Sequence, residues 1–176
     1  MFVTKSILNN IKRDKMNIYC KSALHQISFA VMTIVEMIEK LAEHDFQKRP
    51  SVGKHSLGEL LEHIAIICEA DLLISDRATQ VEMNKFYSSL SHKKPNEMKD
   101  TLLKNYLSLE DKYLNYTEVD LRERIISYWG VTYSRYEWLL EILAQVYHHR
   151  GQLHTMLVHC YVIDSNNDAL YNCIFL

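Results

Sequence analysis

The residues best suited to chemistry lie together in one stretch, Tyr147-His148-His149-Arg150-Gly151-Gln152-Leu153-His154. It places three histidines, an arginine and a glutamine inside a segment whose apolar residues recur at helical spacing. Polar, titratable side chains in such a helix are costly unless a partner or a ligand satisfies them. Imidazole is a common protein ligand for Zn, Ni, Cu and Fe. The stretch therefore raises a metal-site hypothesis, although it does not indicate a substrate.

A second histidine, on another predicted helix, is placed in a similar way. His63 borders an apolar stripe, and His149 borders the stripe of the last helix together with Gln145, four residues earlier. Two helices that each offer one such histidine can build a metal centre inside a helical bundle. The amide oxygen of Gln145 can also ligate, but it is a weaker ligand than imidazole. Taken singly, each histidine is more often a hydrogen-bonded packing residue, so the residues alone leave both interpretations open.

Arginine, glycine and cysteine residues of the chain offer further chemical or packing roles. Arg150 falls at the centre of the apolar stripe, between Val146 and Leu153, which favours a structural ion pair over an anion site for a substrate. Gly151 predicts a close approach by another helix. The four cysteines are scattered without a CxxC pair, and nothing cationic nearby predicts an activated thiol. The sequence also contains no phosphate loop and no nucleophile motif.

Four long helices are predicted to position these residues. Their apolar residues recur every three or four positions, and two of them open with Ser-x-x-Glu capping boxes, Ser56 with Glu59 and Ser134 with Glu137. A turn of helix is expected around Val81 to Tyr87, and an irregular or strand-like segment over 118–133. The predicted long helices run from about Met16 to His44, from Ser56 to about Asp76, from Pro95 or Asn96 to about Tyr116, and from Ser134 to about Cys160.

Composition favours one all-α domain. The chain has 176 residues with only four Gly and two Pro, and 48% of its residues are hydrophobic. We expect an N-terminal arm over 1–15, a bundle over 16–160 and a tail over 161–176 that packs on the bundle or forms an interface.

Charge and hydropathy exclude several classes of protein. The formal net charge of -2 argues against a nucleic-acid partner. No apolar run approaches the roughly 20 residues of a membrane span, so no membrane partner is expected. Met1 to Lys15 lacks the apolar stretch of a secretory signal, and the scattered cysteines suit a reducing compartment. We therefore expect a cytoplasmic protein.

Two segments resemble a known family. The segment Val52-Gly53-Lys54-His55-Ser56-Leu57-Gly58-Glu59-Leu60-Leu61-Glu62-His63 resembles the start of the second helix in the DinB-like (DinB/YfiT-type) family, except that His55 replaces an aromatic residue. His149-Arg150-Gly151-Gln152-Leu153 is similar to that family's His-Arg-Gly-Gln-Leu segment on the fourth long helix. Tyr128-Trp129-Gly130, before Ser134-Arg135, is similar to a segment of some members. The resemblance covers about 16–160, with the motifs in the family's order.

The resemblance implies a four-helix bundle of up-down-down-up topology with a long connection, which is usually dimeric. It also implies a metal site with one histidine on the second helix and two, four residues apart, on the fourth. Carried over by position, these ligands are His63, Gln145 and His149. Gln145 departs from the pattern, because a histidine is expected there. That departure predicts a weakened or lost metal site.

Characterised members of the family include metal-dependent transferases and isomerases that use low-molecular-weight thiols. We therefore predict a homodimeric protein with a divalent metal, Zn or Ni, between the second and fourth helices. Its predicted activity is that of a metal-dependent transferase or hydrolase acting on a small molecule, with a thiol as cosubstrate. The alternative is a non-catalytic dimeric bundle with a degenerate metal site that binds a ligand or a protein partner. Fold alone does not decide between them.

Overall fold

The computed structural model describes residues 17–90 and 94–160, so the predicted arm over 1–15 and tail over 161–176 lie outside the described residues. The described chain is mostly helical, as the composition predicts. It also contains a 3-10 helix over Glu43–Gln47 and a π-helical turn over Met156–Cys160. The regular elements, in chain order, are α1 Ile18–Ile38, α2 Leu57–Ser75, α3 Gln80–Ser88, α4 Pro95–Leu114, α5 Glu118–Arg122, β1 Arg124–Ile126, β2 Thr132–Ser134 and α6 Arg135–Thr155.

Four long helices, α1, α2, α4 and α6, form the bundle. Helix α2 packs on α4 and α6, and α1 packs on the same two helices. Their apolar stripes meet in a common core that includes Ile27 and Ile34 of α1, Leu61 and Ile64 of α2, and Leu139 of α6. The predicted all-α bundle is confirmed, and α3 lies in the long connection between α2 and α4. The up-down-down-up order of the helices stays a prediction.

The two predicted capping boxes are present. Ser56 N–H donates to Glu59 Oε2 at 2.6 Å, and Glu59 N–H donates to Ser56 Oγ at 3.1 Å. The backbone N–H of Ser56, followed by the guanidinium of Arg49, lowers the pKa of Glu59 to about 2. Ser134 and Glu137 make the same reciprocal pair at the start of α6. These caps satisfy N–H groups of the first turn, and so define where α2 and α6 begin.

The predicted end of the first helix is wrong. Helix α1 ends at Ile38 rather than near His44, and the chain then forms the 3-10 helix. There Asp45 accepts a hydrogen bond from the backbone N–H of Ala42 at 2.8 Å and pairs with Lys48 at 2.6 Å. An aspartate that binds nearby backbone competes with helix continuation. The chain therefore leaves the helix before Pro50 can act on it.

The segment over 118–133 contains more regular structure than predicted. A short helix, α5, is followed by an antiparallel hairpin in which Ile125 of β1 pairs with Tyr133 of β2. Ile125 is fully buried beside Trp138, in a small apolar cluster that also includes Met83 of α3. The hairpin thus closes a second, minor core at the start of α6.

Arg135, the first residue of α6, joins the ends of several elements. Its Nη1 donates to Ser75 O at 3.0 Å and to Asp76 Oδ1 at 2.9 Å, both at the end of α2. It also contacts Tyr116 beyond α4 at 3.0 Å and Glu123 beyond α5 at 3.1 Å. Because its side chain is only 13% exposed, these partners compensate the cost of burying the charge. This network fixes the start of the helix that carries His149.

Helix α1 corrects one expectation about membranes. By length and composition alone it is the one helix in the described part of the chain that is apolar enough to span a membrane. Half of its most apolar window is buried inside the bundle, and a core helix of a soluble protein meets the same criterion. The prediction that no apolar run approaches the length of a span is therefore wrong for α1. Packing against α4 and α6 accounts for its apolar face.

Candidate metal site

Helices α2 and α6 bring His63 and His149 together. Their Nε2 atoms lie 3.1 Å apart, and the two rings meet edge to face, with centroids 4.5 Å apart and an interplanar angle of 80°. His63 is exposed and His149 is half-buried, so the pair lies at a solvent-accessible part of the α2–α6 contact. Two residues separated by 86 positions in the chain thus point their ring nitrogens at each other, as the sequence predicts.

The separation of these nitrogens suits two ligands of one metal ion. With metal–nitrogen bonds of about 2.0 to 2.1 Å in a tetrahedral site, two ligand nitrogens lie about 3.3 Å apart. The observed 3.1 Å is close to that spacing. In the metal-free state one Nε2 can instead donate its proton to the other. The geometry therefore accommodates both a shared metal and a direct hydrogen bond.

A glutamine determines which nitrogen of His149 carries the proton. His149 Nδ1 lies 2.8 Å from Gln152 Oε1, and an amide oxygen can only accept, so Nδ1 must donate. The Gln152 amide nitrogen in turn lies 3.0 Å from His148 Nε2, to which it donates. With the proton on Nδ1, the Nε2 of neutral His149 presents its lone pair toward His63. A hydrogen bond to the second imidazole nitrogen is typical of metal-ligating histidines.

The electrostatics favour neutral imidazoles. Partial desolvation of the His63 ring, followed by the neighbouring charges of His149 and His55, lowers the pKa of His63. Burial also lowers the pKa of His149; the hydrogen bond to Gln152 opposes that shift, and the charge of His148 reinforces it. Since only the neutral ring can ligate, both side chains are available to a metal at neutral pH.

The third predicted ligand is placed differently. Gln145 is half-buried, and its Nε2 donates to Glu141 Oε1 at 3.2 Å, one turn earlier on α6. Across the described ranges, no group of three or more His, Cys, Asp and Glu side chains is arranged to hold a metal. The structure thus brings together two of the three predicted ligands. Gln145 would have to leave Glu141 to complete the set.

Other predictions about the motif on α6 need correction. Arg150 is half-buried rather than central to the stripe, and its guanidinium lies 5.4 Å from the centre of the Tyr147 ring. Gly151 is exposed, and a Cβ added there would meet nothing within 4 Å. Its predicted role in close helix packing is therefore wrong.

Sequence reasoning missed one acidic residue in the same groove. Asp71 lies two turns after His63 on α2, and Glu141 lies two turns before His149 on α6. Burial raises the pKa of the Asp71 carboxyl to about 7, and the charge of Glu141 contributes to the shift. The available signal was a pair of acids, Glu69 and Asp71, in the otherwise apolar segment 66–74 of α2, of which Glu69 is exposed and Asp71 is half-buried. Such a carboxyl exchanges a proton near neutral pH.

Two cysteines, Cys20 and Cys68, behave as packing residues rather than as activated thiols. Cys20 and Cys68 are buried free thiols. Burial raises the pKa of Cys20 to about 11 and that of Cys68 to about 12. Neither thiol therefore forms a nucleophilic thiolate at neutral pH.

Known proteins resemble this chain in structure rather than in sequence profile. The chain matches no protein-family profile and no curated protein sequence. It is similar in structure to a protein of Exiguobacterium sibiricum 255-15 assigned to the DinB family, with 30% identity, 88% of this chain and 99% of that chain covered, and a TM-score of 0.74. It is also similar to a DinB-like protein of Bacillus cereus ATCC 10987, at 15% identity, with 78% and 90% covered and a TM-score of 0.63.

A third likeness is to a mycothiol-dependent maleylpyruvate isomerase. The identity is 10%, the match covers 80% of this chain and 62% of that chain, and the TM-score is 0.57. Like the match to the Bacillus cereus protein, this likeness establishes the fold and nothing more.

Proposed function

Because this chain belongs to the DinB family, we propose that it binds a divalent metal, Zn or Ni, between His63 and His149 and uses it in a transferase or hydrolase reaction on a small molecule. The observation that supports this proposal is the 3.1 Å separation of the two Nε2 atoms. Gln145 or water would complete the ligand set, so the site is expected to be weaker than one with three imidazoles.

Each residue of the site has a distinct role in this proposal. His63 and His149 hold the metal, while Gln152 keeps the His149 proton on Nδ1 and orients the ring. A divalent metal held there would lower the pKa of a bound water or thiol toward neutrality. The exposed position of His63 leaves room for solvent or substrate to approach.

A low-molecular-weight thiol is the proposed cosubstrate. Its support is the structural likeness to an isomerase described as mycothiol-dependent. Cys20 and Cys68 are buried, with pKa values raised by burial, so neither of them supplies a reactive thiolate. We also propose that the protein is a cytoplasmic homodimer with neither nucleic-acid nor membrane partners.

Two observations favour a second function. The Gln145 amide is bound to Glu141, and no three-residue ligand cluster occurs within 17–90 and 94–160. These features suit a non-catalytic dimeric bundle that has lost its metal and binds a ligand or a protein partner.

Elemental analysis separates the two functions. Protein purified without chelator or nickel resin should contain near-stoichiometric Zn or Ni, and His63→Ala should remove most of it. His25→Ala, which changes an exposed histidine of α1, is the matched control and should retain the metal. Metal-free wild-type protein whose stability is unchanged by His63→Ala would instead support the non-catalytic bundle.

A further inference from the structure

A large open pocket lies beside the histidine pair. It has a volume of about 620 Å³, and it is lined by the loop before α2 and by the last turns of α6. Its lining includes Leu60, one turn before His63 on α2, together with His148 and Gln152, which form the hydrogen-bonded chain to His149. The volume is within the range of small-molecule sites.

The formal charge in this pocket comes from one basic residue, Lys54. Lys54, His55 and His148 line the pocket, whereas no Asp or Glu among the described residues does so. Lys54 makes no ion pair with any residue of the described chain. The nearest acid along the sequence, Glu59, is bound by Arg49 at 2.8 Å and faces His55 at 3.7 Å.

The loop that carries Lys54 is held in place. The N–H of Lys54 donates to Ser51 O at 3.2 Å, and the guanidinium of Arg49 donates to Lys54 O at 2.7 Å. Gly53 supplies the left-handed turn between them, with φ of +77°. Arg49 also binds Glu59 of α2. A cation on a fixed loop loses less entropy when it binds an anion than one on a mobile loop.

The remaining lining is apolar or can donate hydrogen bonds. Pro50, Leu60 and Met156 supply apolar surface, and Gln152 and Thr155 supply polar groups. A ligand that matches this lining has an anionic head and a short apolar body.

From these features we propose that the pocket binds a small carboxylate, whose charged group pairs with Lys54 and whose apolar body packs on Leu60 and Met156. This inference rests on the proposed function in one respect, because it names the substrate class for the metal site next to the pocket. Binding itself requires no metal, so the two proposals can fail separately.

The test uses metal-free protein, prepared with chelator and dialysed, and hexanoate as the probe. We expect saturable binding by calorimetry, with amide shifts concentrated at Lys54 and Gln152, and no comparable binding of the neutral hexanamide. Lys54→Gln should weaken hexanoate binding about tenfold or more, as expected for loss of one charge-assisted contact. Lys85→Gln, which changes an exposed lysine of α3, should leave it unchanged.

Three results would overturn the inference: equal binding of hexanoate and hexanamide, equal affinity of wild type and Lys54→Gln, or amide shifts away from this pocket. Lys54→Arg keeps the charge and should restore most of the affinity, which separates loss of charge from loss of fold. If hexanoate binds as expected while the protein holds no metal, the metal proposal fails and the carboxylate pocket stands. If the protein holds metal but does not bind hexanoate as expected, the metal proposal stands and the carboxylate pocket fails.

Discussion

His63 and His149 direct their Nε2 atoms at each other across the contact between α2 and α6, at 3.1 Å. Partial desolvation lowers the pKa of both rings, so two neutral imidazoles meet at neutral pH. One of them is also fixed in its tautomer by Gln152. These two histidines are the part of the predicted ligand set that the described residues already bring together.

Replacing Gln145 with histidine should complete the ligand set. Position 145 is one turn before His149 on α6, so an imidazole there can reach the same metal. We expect Gln145→His to tighten Zn binding about tenfold or more, because imidazole replaces a weakly ligating amide. Competition titration against a chromogenic chelator measures the change.

Ala144→His controls for simply adding a histidine to α6, because Ala144 is exposed and lies one residue from the ligand position. It should change Zn affinity little. If Gln145→His gave no more than this control, the groove would not be able to accept a third ligand. The non-catalytic bundle would then be favoured.

Gln152→Leu should loosen the orientation of His149. The substitution removes the acceptor of the Nδ1 proton while keeping a side chain of similar size. Loss of such a supporting hydrogen bond typically costs 10- to 100-fold in metal affinity, and we expect about that loss. In metal-free wild-type protein, nitrogen NMR should show the His149 proton on Nδ1, and the variant should show a mixture of tautomers.

Gln80→Leu, at an exposed position that opens α3, is the control for loss of an amide and should alter neither measurement. A wild-type His149 that carries its proton on Nε2 would contradict the assigned role of Gln152.

The parts of the fold that local sequence determines were predicted well. The capping boxes at Ser56 and Ser134 are contacts over three residues, and they define where α2 and α6 begin. The end of α1 was mispredicted because the apolar spacing continues past Ile38 and gives no sign of the turn that follows. In that turn Asp45 contacts Ala42 and Lys48. These contacts stabilise the 3-10 helix over Glu43–Gln47, so the chain has left α1 well before Pro50.

In the candidate site, too, some features are predictable from the sequence and others depend on how the side chains and helices pack. His63 and His149 could be found from their positions beside the apolar stripes of two helices. The rotamer of Gln145, which binds Glu141, is a choice between two polar partners and has no sequence signature. The proximity of Asp71 to Glu141 joins residues 70 positions apart, so it appears only when α2 and α6 pack together.

Two glycines offer a matched test of packing. A Cβ at Gly58 would lie 3.0 Å from the carbonyl oxygen of Phe46 and 3.3 Å from its Cβ, whereas Gly151 has open space around it. Because the 3-10 helix carrying Phe46 must shift, Gly58→Ala should destabilise the fold by about 1 to 3 kcal/mol. Gly151→Ala should stabilise it by about 0.5 to 1 kcal/mol through helix propensity. Urea unfolding midpoints give both values, and a stabilising Gly58→Ala would contradict the described contact.

Asp71 should give the protein a stability component that falls as the pH rises. Burial and the charge of Glu141 raise the pKa of Asp71 from 3.8 to about 7 in the folded state. Between these values the folded state binds more protons than the unfolded state, so the free energy of unfolding decreases with pH. This contribution is fully present below about pH 4 and is lost by about pH 7. Asp71→Asn removes the titrating group while keeping its shape.

We therefore expect Asp71→Asn to match the wild type most closely near pH 4 and to gain relative stability up to about pH 7, by roughly 1 kcal/mol or more. Urea unfolding at pH 4, 5.5, 7 and 8 measures the difference. Glu141→Gln provides an independent check, because removal of its charge should lower the pKa of Asp71 and narrow the pH window over which stability falls. Asp100→Asn, at an exposed position of α4, controls for the loss of one negative charge. The opposite result would be a stability advantage of Asp71→Asn over the wild type that becomes smaller as the pH rises. It would show that the fold stabilises the Asp71 carboxylate, so the pKa of Asp71 would be lowered rather than raised.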